Sequence, residues 1–462
     1  MTQVSSSRGV YVDEVSLPYG VYDADNHIYP PLDSRIRHLP KKYLAELERV
    51  AGIGVPDPEG ELESMDEEAK STYLRSSQHG GIGVPDPEGD LAGMDEQSIS
   101  TTIGTHPVPE GGYGGVDLRE LPPMEALKSG TIPIPGAMLN RLNPMRDLDA
   151  LSRAELVDRY NQMRPAFEHK DPRLKLMDIQ GVEAAVVHTG GTANEAAFTS
   201  GNLDLGYAVT RAWNEYVLED WGFNTESRIF CPLQVPLVDP ELAVRELEWG
   251  MDHGAVLVNL PAGSAYGRSP FDPIFDPVWA RINEAGLRVT LHLGGGNRVD
   301  RSSDWSEDGT VPYPRYDAFQ WVLYWSDRPV METVTAMIFH NLFGRFPKIN
   351  VLLAEFGTVW LPYLIRKLDH AVMLGRRPTY GTLPGRPSQI FKQHCLVAPY
   401  PEENVTRAAE VVGWDCLVFG SDFPHSEGLP DPVQYAKTIE GIGDDKIRKI
   451  MRDNLKDFLT FS

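Results

Sequence analysis

The sequence predicts an α/β protein built as a TIM (β/α)8 barrel, distorted by a long insertion after its first strand. Three observations predict this. From Arg173 onward, seven short β-branched runs alternate with amphipathic, helix-like segments. The runs are almost continuously apolar, as strands covered on both faces must be. An eighth strand-like run, "GVYDAD", lies far upstream, and eight strand–helix units close a barrel.

In chain order the later strands are read at "EAAVVH" (183–188), "RIFCPL" (228–233), "GAVLVN" (254–259), "LRVTLH" (287–292), "INVLLAE" (349–355), "CLVA" (395–398) and "CLVFG" (416–420). Between them stand "PELAVRELEWGMDHG", "FDPVWARINEAG", "METVTAMIFHNLFGRF" and "NVTRAAEVVGW", which read as helices. Gly254 and Gly286 sit where helices should end, because glycine enters the left-handed region without a Cβ penalty. A doubly wound open sheet is the competing fold. It is disfavoured because no strand is followed by GxGxxG, and "LGGGN" does not open a helix.

The first strand and its entry occupy residues 1–40, an insertion covers 41–171, and 172–462 carries the rest of the barrel. The insertion is rich in Gly, Pro and acid. "GIGVPDPEG" occurs at 52–60 and again at 81–89, followed by "ELESMDEE" and "DLAGMDEQ". Two copies cannot make a solenoid. They read as a duplicated surface loop, a lid, or an oligomer-contact arm. By its place after a strand's C-terminal end, the insertion lies on the face where barrel sites form.

Of the 462 residues, 43 are basic and 66 acidic, for a net charge of −23, which argues against a nucleic-acid partner. Cys231, Cys395 and Cys416 stand far apart in apolar runs and read as buried, reduced thiols. That usage fits a cytoplasmic protein. The N-terminus lacks the apolar centre of a signal peptide, and no run of about 18 apolar residues offers a membrane span.

The chemistry is expected at the strand ends. The first closes on Asp25 and His27, the second on His188, the fourth on Asn259, the fifth on His292, the sixth on Glu355. The eighth runs into Asp422, with His425 three residues on. Carboxylates and imidazoles gathered at one end of parallel strands are costly to bury unless paired or bound to a cation. Mixed nitrogen and oxygen donors suit Zn, Mn or Fe. Strand alternation puts Asp23, Asp25 and His27 on one face, with Asp23 deeper and orienting a ligand.

The stretches "DADNHIYPP", "VTLHLGGGN", "GRFPKINVLLAEFGTVWLPYLIRKLDH" and "FGSDFPHSEG" resemble the metal-dependent amidohydrolase-related family. The resemblance is to the branch of aminocarboxymuconate-semialdehyde and resorcylate decarboxylases. It covers residues 20–30 and most of 172–460. It implies one divalent transition metal held by Asp25, His27, His292 and Asp422, with Asp422 also handling protons, and at least a dimer. Glu355 stands where the decarboxylase has a histidine. Asn259 stands where some two-metal hydrolases of the superfamily have a carbamylated lysine, so that bridge is not implied.

The expected activity is nonhydrolytic decarboxylation, or hydrolysis, of a small carboxylated substrate, with Asp422 and Glu355 moving protons. A second reading uses Glu355 and His425 as ligands of a second metal, giving a dinuclear Fe or Fe/Mn oxygenase. A third is an inactive subunit partnering a related active chain. Arg298, Arg268 or Arg328 could clamp a substrate carboxylate, and His188 could face the site or make a structural hydrogen bond. Trp321, Tyr324 and Trp325 could line an aromatic pocket or pack a helix. His340 reads as core.

Overall fold

The computed structural model describes residues 17–30, 34, 36–51, 163–190, 197–198, 200–293, 327–375, 380–425 and 428–461. The duplicated segment, Arg298, Trp321, Tyr324 and Trp325 lie outside the described residues. The strands are β1 (Val21–His27), β2 (Val182–His188), β3 (Asn224–Thr225), β4 (Ile229–Phe230), β5 (Leu233–Gln234), β6 (Leu257–Pro261), β7 (Arg288–His292), β8 (Val351–Ala354) and β9 (Cys395–Val397).

They form two runs, β1-β2-β4-β3 and β5-β6-β7-β8-β9. Every pair is parallel except β3 with β4. The stretch expected as one strand at 228–233 is therefore split, β4 pairing one neighbour and β5 the other. The eighth stave is not a regular strand. Residues 414–416 form a 3-10 turn, and residues 417–423 then join both sides by single bridges, Leu417 to Val397 and Phe423 to Asn26. The Val418 amide donates to the Val397 carbonyl at 3.0 Å and the Ala24 amide to Phe419 at 2.8 Å. Those bonds close a ring of staves, which an open doubly wound sheet cannot do.

Alternation along each stave sorts side chains into two layers. Ala24, Val186, Phe230, Leu257, Leu352 and Val418 pack together inside the ring. Ala185, Val187, Val258, Val289, Leu291 and Leu353 face outward against the helices, with Trp213 and Trp279 among their partners. The helix Pro240–Asp252 begins at Asp239, whose carboxylate accepts from the Glu241 and Leu242 amides, with proline in its first turn. The helix Val405–Val412 starts on Asn404 in the same way. Asp276–Ala285 stops at Gly286, whose φ of 68° satisfies the left-handed cap. The three cysteines are buried and free.

Candidate metal centre at the barrel mouth

Simple alternation does not hold along β1. Asp23 is opposite Ala185, Asn26 opposite Val187, and His27 opposite His188. Three residues of β1 thus span two of β2, which is a bulge. Ala185 and Val187 belong to the outer layer, and Asp23 and Asn26 go with them. Asp25 and His27 turn to the mouth. Sequence alternation had placed all three acidic and imidazole side chains on one face; the extra residue in the ladder removes Asp23 from it.

Four staves bring their donors to one point. Asp25 Oδ1 lies 3.1 Å from His27 Nε2 and 3.2 Å from His292 Nε2. Glu355 Oε2 is 3.1 Å from the same His292 nitrogen. Single donor atoms of Asp25, His27, His292 and Glu355 all lie within 4.8 Å of one another. A second group, His27, Asp422 and His425, meets the same criterion and shares His27 with the first. Asp422 Oδ1 is 3.1 Å from His27 Nε2 and accepts a 2.7 Å hydrogen bond from His425 Nδ1. The His425 ring stacks on His27 at 3.9 Å.

This donor set fits a divalent cation. His27 Nε2 is buried, faces two carboxylate oxygens at 3.1 Å, and makes a directed hydrogen bond to neither. A buried imidazole nitrogen without a directed partner, beside two carboxylate oxygens, is available to ligate a cation. Two imidazoles and two carboxylates in one group suit Zn, Mn or Fe(II). The two groups share His27, whose Nε2 is equally near Asp25 Oδ1 and Asp422 Oδ1, so they adjoin at one imidazole.

The electrostatics agree. Burial alone would suppress a charge on His27, but the adjoining Asp25 and Asp422 outweigh it and raise its pKa to about 10. Burial would likewise raise Asp25, yet the adjoining His27 and His292 imidazoles, the latter hydrogen-bonded to it at 3.2 Å, hold it far below the usual carboxylate range. Asp422 is also lowered, its burial overcome chiefly by His425 and His27. His188 is pushed the other way, by burial and by the neighbouring His292, so it is held neutral. Its Nε2 donates to the Ala24 carbonyl at 3.2 Å, while Asp25 Oδ1 is 4.0 Å away. His188 therefore borders the centre and makes the structural bond as well.

The two carboxylates delivered by turns carry backbone strain. Glu355 has φ 59° and Asp422 φ 56°, in the left-handed region that residues with a Cβ seldom enter. The Glu355 turn is held from the next stave: Tyr400 donates its hydroxyl to the Glu355 carbonyl at 2.7 Å. Glu403 accepts from the Thr358 amide at 2.8 Å, the Thr358 hydroxyl at 2.8 Å and the Tyr400 amide at 3.2 Å. Gly420 is required by proximity, since a Cβ there would meet Asp25 Cβ at 2.8 Å.

Other expected residues fall elsewhere. Arg268 pairs with Asp272 on an exposed turn, and His340 packs on Tyr380 away from the cluster. Asn259 donates to the Gln234 side chain at 3.0 Å. Asp23 reaches no ligand side chain; it accepts from the Ser421 amide at 2.9 Å, from Asn26 Nδ2 at 2.9 Å and from the Asp25 amide at 3.1 Å. Burial, opposed by those bonds, raises its pKa to about 6. Sequence reasoning missed Arg173, Tyr400, Glu403 and Ser421. Only Ser421 carried a local signal, through its place in "FGSD".

The family model described as amidohydrolase matches residues 103–460, beginning inside the 41–171 segment. A solved amidohydrolase structure from Mycobacterium avium subsp. paratuberculosis is 29% identical, with a TM-score of 0.68, covering 96% of this chain and 100% of its own. Among characterised proteins, the gamma-resorcylate decarboxylase of Rhizobium radiobacter is 24% identical over 267 residues, 55% of this chain and 76% of the relative. The enzyme of the same name from a Polaromonas species is 24% identical over 273 residues, 55% of this chain and 77% of the relative. The ring of parallel staves, the donors at their C-terminal ends and a family match over most of the chain lead to one conclusion: this chain belongs to the amidohydrolase family.

Proposed function

We propose that the chain is a metal-dependent decarboxylase acting on a small carboxylated aromatic acid. The observation that carries this reading is the pairing at the mouth. Asp25, His27, His292 and Glu355 form one ligand group, and Asp422 stands beside it, hydrogen-bonded to His425. The decarboxylase relatives named above support the reaction type. A divalent cation held by the four would stabilise charge on a substrate carboxylate and its neighbouring oxygen.

The chain's own groups do the rest. Breaking the bond between ring and carboxylate leaves its electron pair on the ring carbon and releases CO2. That carbon must take one proton. His425 Nδ1 donates to Asp422 Oδ1 at 2.7 Å, and in this reading the proton reaches the carbon through the Asp422 carboxylate, which accepts it and delivers it in turn. Solvent then restores it through His425. Neutral His188 lies with its ring 4.1 Å from that of His292, and the Tyr29 ring is 5.8 Å from that of His425.

Hydrolysis is the second reading, because Asp422 beside a cation could equally take a proton from water. The dinuclear oxygenase alternative would need both ligand groups filled at once, and they share His27. Incubation of Mn-loaded protein with ortho-hydroxylated benzoates should release one CO2 per substrate consumed, without oxygen uptake. Turnover of esters or amides with no CO2 from any carboxylated phenol would overturn the proposal in favour of hydrolysis.

A further inference from the structure

Behind the mouth, between the barrel wall and the helix layer, lies a polar belt that touches no ligand atom. Its centre is Arg173 on the helix Lys170–Gln180, fully buried at 0% exposure. Its guanidinium donates to the Asn26 side-chain oxygen and, at 2.7 Å, to the His27 carbonyl. Its Nε donates at 2.6 Å to the Ala166 carbonyl. Asn26 passes the chain of bonds on, donating to Asp23 at 2.9 Å, and Asp23 accepts from Ser421 on the eighth stave. The guanidinium also lies 5.4 Å from the Phe423 ring centroid, on the residue next to Asp422. It lies 5.5 Å from Trp221 on its other side.

We propose that Arg173 is a positioning residue for the cation site: the Arg173–Asn26–Asp23–Ser421 belt fixes His27 on stave one relative to Asp422 on stave eight. The inference rests on the cation reading given above. Burying a guanidinium is costly, and an apolar side chain of similar volume commonly packs as stably. An arginine is warranted here because its rigid planar fork holds donors in fixed directions toward two successive residues of β1, which a flexible ammonium does not pre-organise and an apolar group cannot supply. Those two residues lie at the bulge that turns His27 to the mouth. The eighth stave meets β1 through backbone bonds, Ala24 N to Phe419 O at 2.8 Å, Asp422 N to Asp25 O at 2.7 Å and His27 N to Phe423 O at 2.6 Å, and the belt adds a buried side-chain tie between the same two segments.

The experiment measures Mn2+ binding to metal-stripped full-length protein by equilibrium dialysis. Wild type is compared with Arg173→Met and with Arg452→Met, which removes an arginine at the opposite end of the barrel. Loss of supporting contacts behind metal ligands weakens affinity by about 10–100-fold. Arg173→Met should lose affinity in that range with its circular dichroism unchanged, while Arg452→Met stays within about twofold of wild type. Wild-type affinity in a folded Arg173→Met, or an equal loss in Arg452→Met, overturns the proposal. Should the Met variant fail to fold, Arg173→Lys decides. It keeps the charge without the fork and should show the same loss, and unchanged binding in it overturns the proposal too. Wild type that binds no Mn2+, Zn2+ or Fe2+ sinks the cation reading itself, an outcome distinct from either.

Discussion

The two ends of the barrel use the same strands for opposite purposes. At the N-terminal end Arg452 pairs with Glu183 and donates to the Gly20 carbonyl, and Tyr22 donates to Glu183 at 3.0 Å. Opposite charges meet there, partly in water, with ordinary backbone at Glu183 and Tyr22. At the C-terminal end of the same β1, Asp25 and His27 join His292, Glu355, Asp422 and His425. Carboxylates there stand within reach of imidazoles that can lose their protons, and two of the carboxylates sit on left-handed backbone. One end is satisfied by its own charges. The other is built so that a cation completes it.

The sharpest way to break this contrast is to remove a ligand at the mouth. His27→Ala should abolish stoichiometric metal binding and lower turnover by about 1,000-fold or more, with the circular dichroism of wild type. Retained metal and activity would show that the cluster is only a structural ion-pair network. Asp422→Asn separates holding from proton transfer. Turnover should fall about 100–10,000-fold, the range for a general acid, while one equivalent of metal remains bound.

Protons and cation compete at the mouth and not at the base. His27 in the metal-free protein has a pKa raised to about 10, so it carries a proton at neutral pH that the cation must displace. Affinity should therefore rise, by up to about tenfold per pH unit between pH 6 and 8, a slope readable by calorimetry. A flat profile would mean that His27 is not a ligand. The sign for stability is the reverse. A raised histidine pKa stabilises the metal-free fold fully below its unfolded value, about 6.5, and that contribution is lost as pH climbs through about 10.

Smaller effects sharpen the comparison further. Glu403→Gln weakens the cage that holds the strained Glu355 turn, and should cost about 1–3 kcal/mol in thermal unfolding together with some activity. Equal activity at saturating metal would detach that turn from the chemistry. Arg452→Met at the base should cost only about 1 kcal/mol or less, since its partner Glu183 is 40% exposed and screened, and should leave turnover unchanged.

Much of this was legible in the residues. β-Branched runs between amphipathic segments gave most of the staves because period and apolar content are local properties. The carboxylates and imidazoles at the strand ends were visible for the same reason, since whatever closes a buried parallel strand must emerge at the barrel mouth. The misses are those with no local signature. The β3–β4 ribbon at Asn224–Thr225 is a two-residue pairing. Glu403 and Tyr400 act on a turn 45 residues away in the chain, and Arg173 acts on β1 from 147 and 146 residues away.

What the sequence alone determined is the set of staves and the chemical types that crown them, because hydrophobic period and the cost of burying charge operate along the chain. What the tertiary structure decided is which side chains converge. The bulge in β1 sent Asp23 outward and His27 inward. Barrel closure set Asp422 against His27, and the left-handed turn after β8 brought Glu355 to His292. Each depends on hydrogen-bond register and loop closure between distant segments, and those are fixed only when the ring of strands is complete.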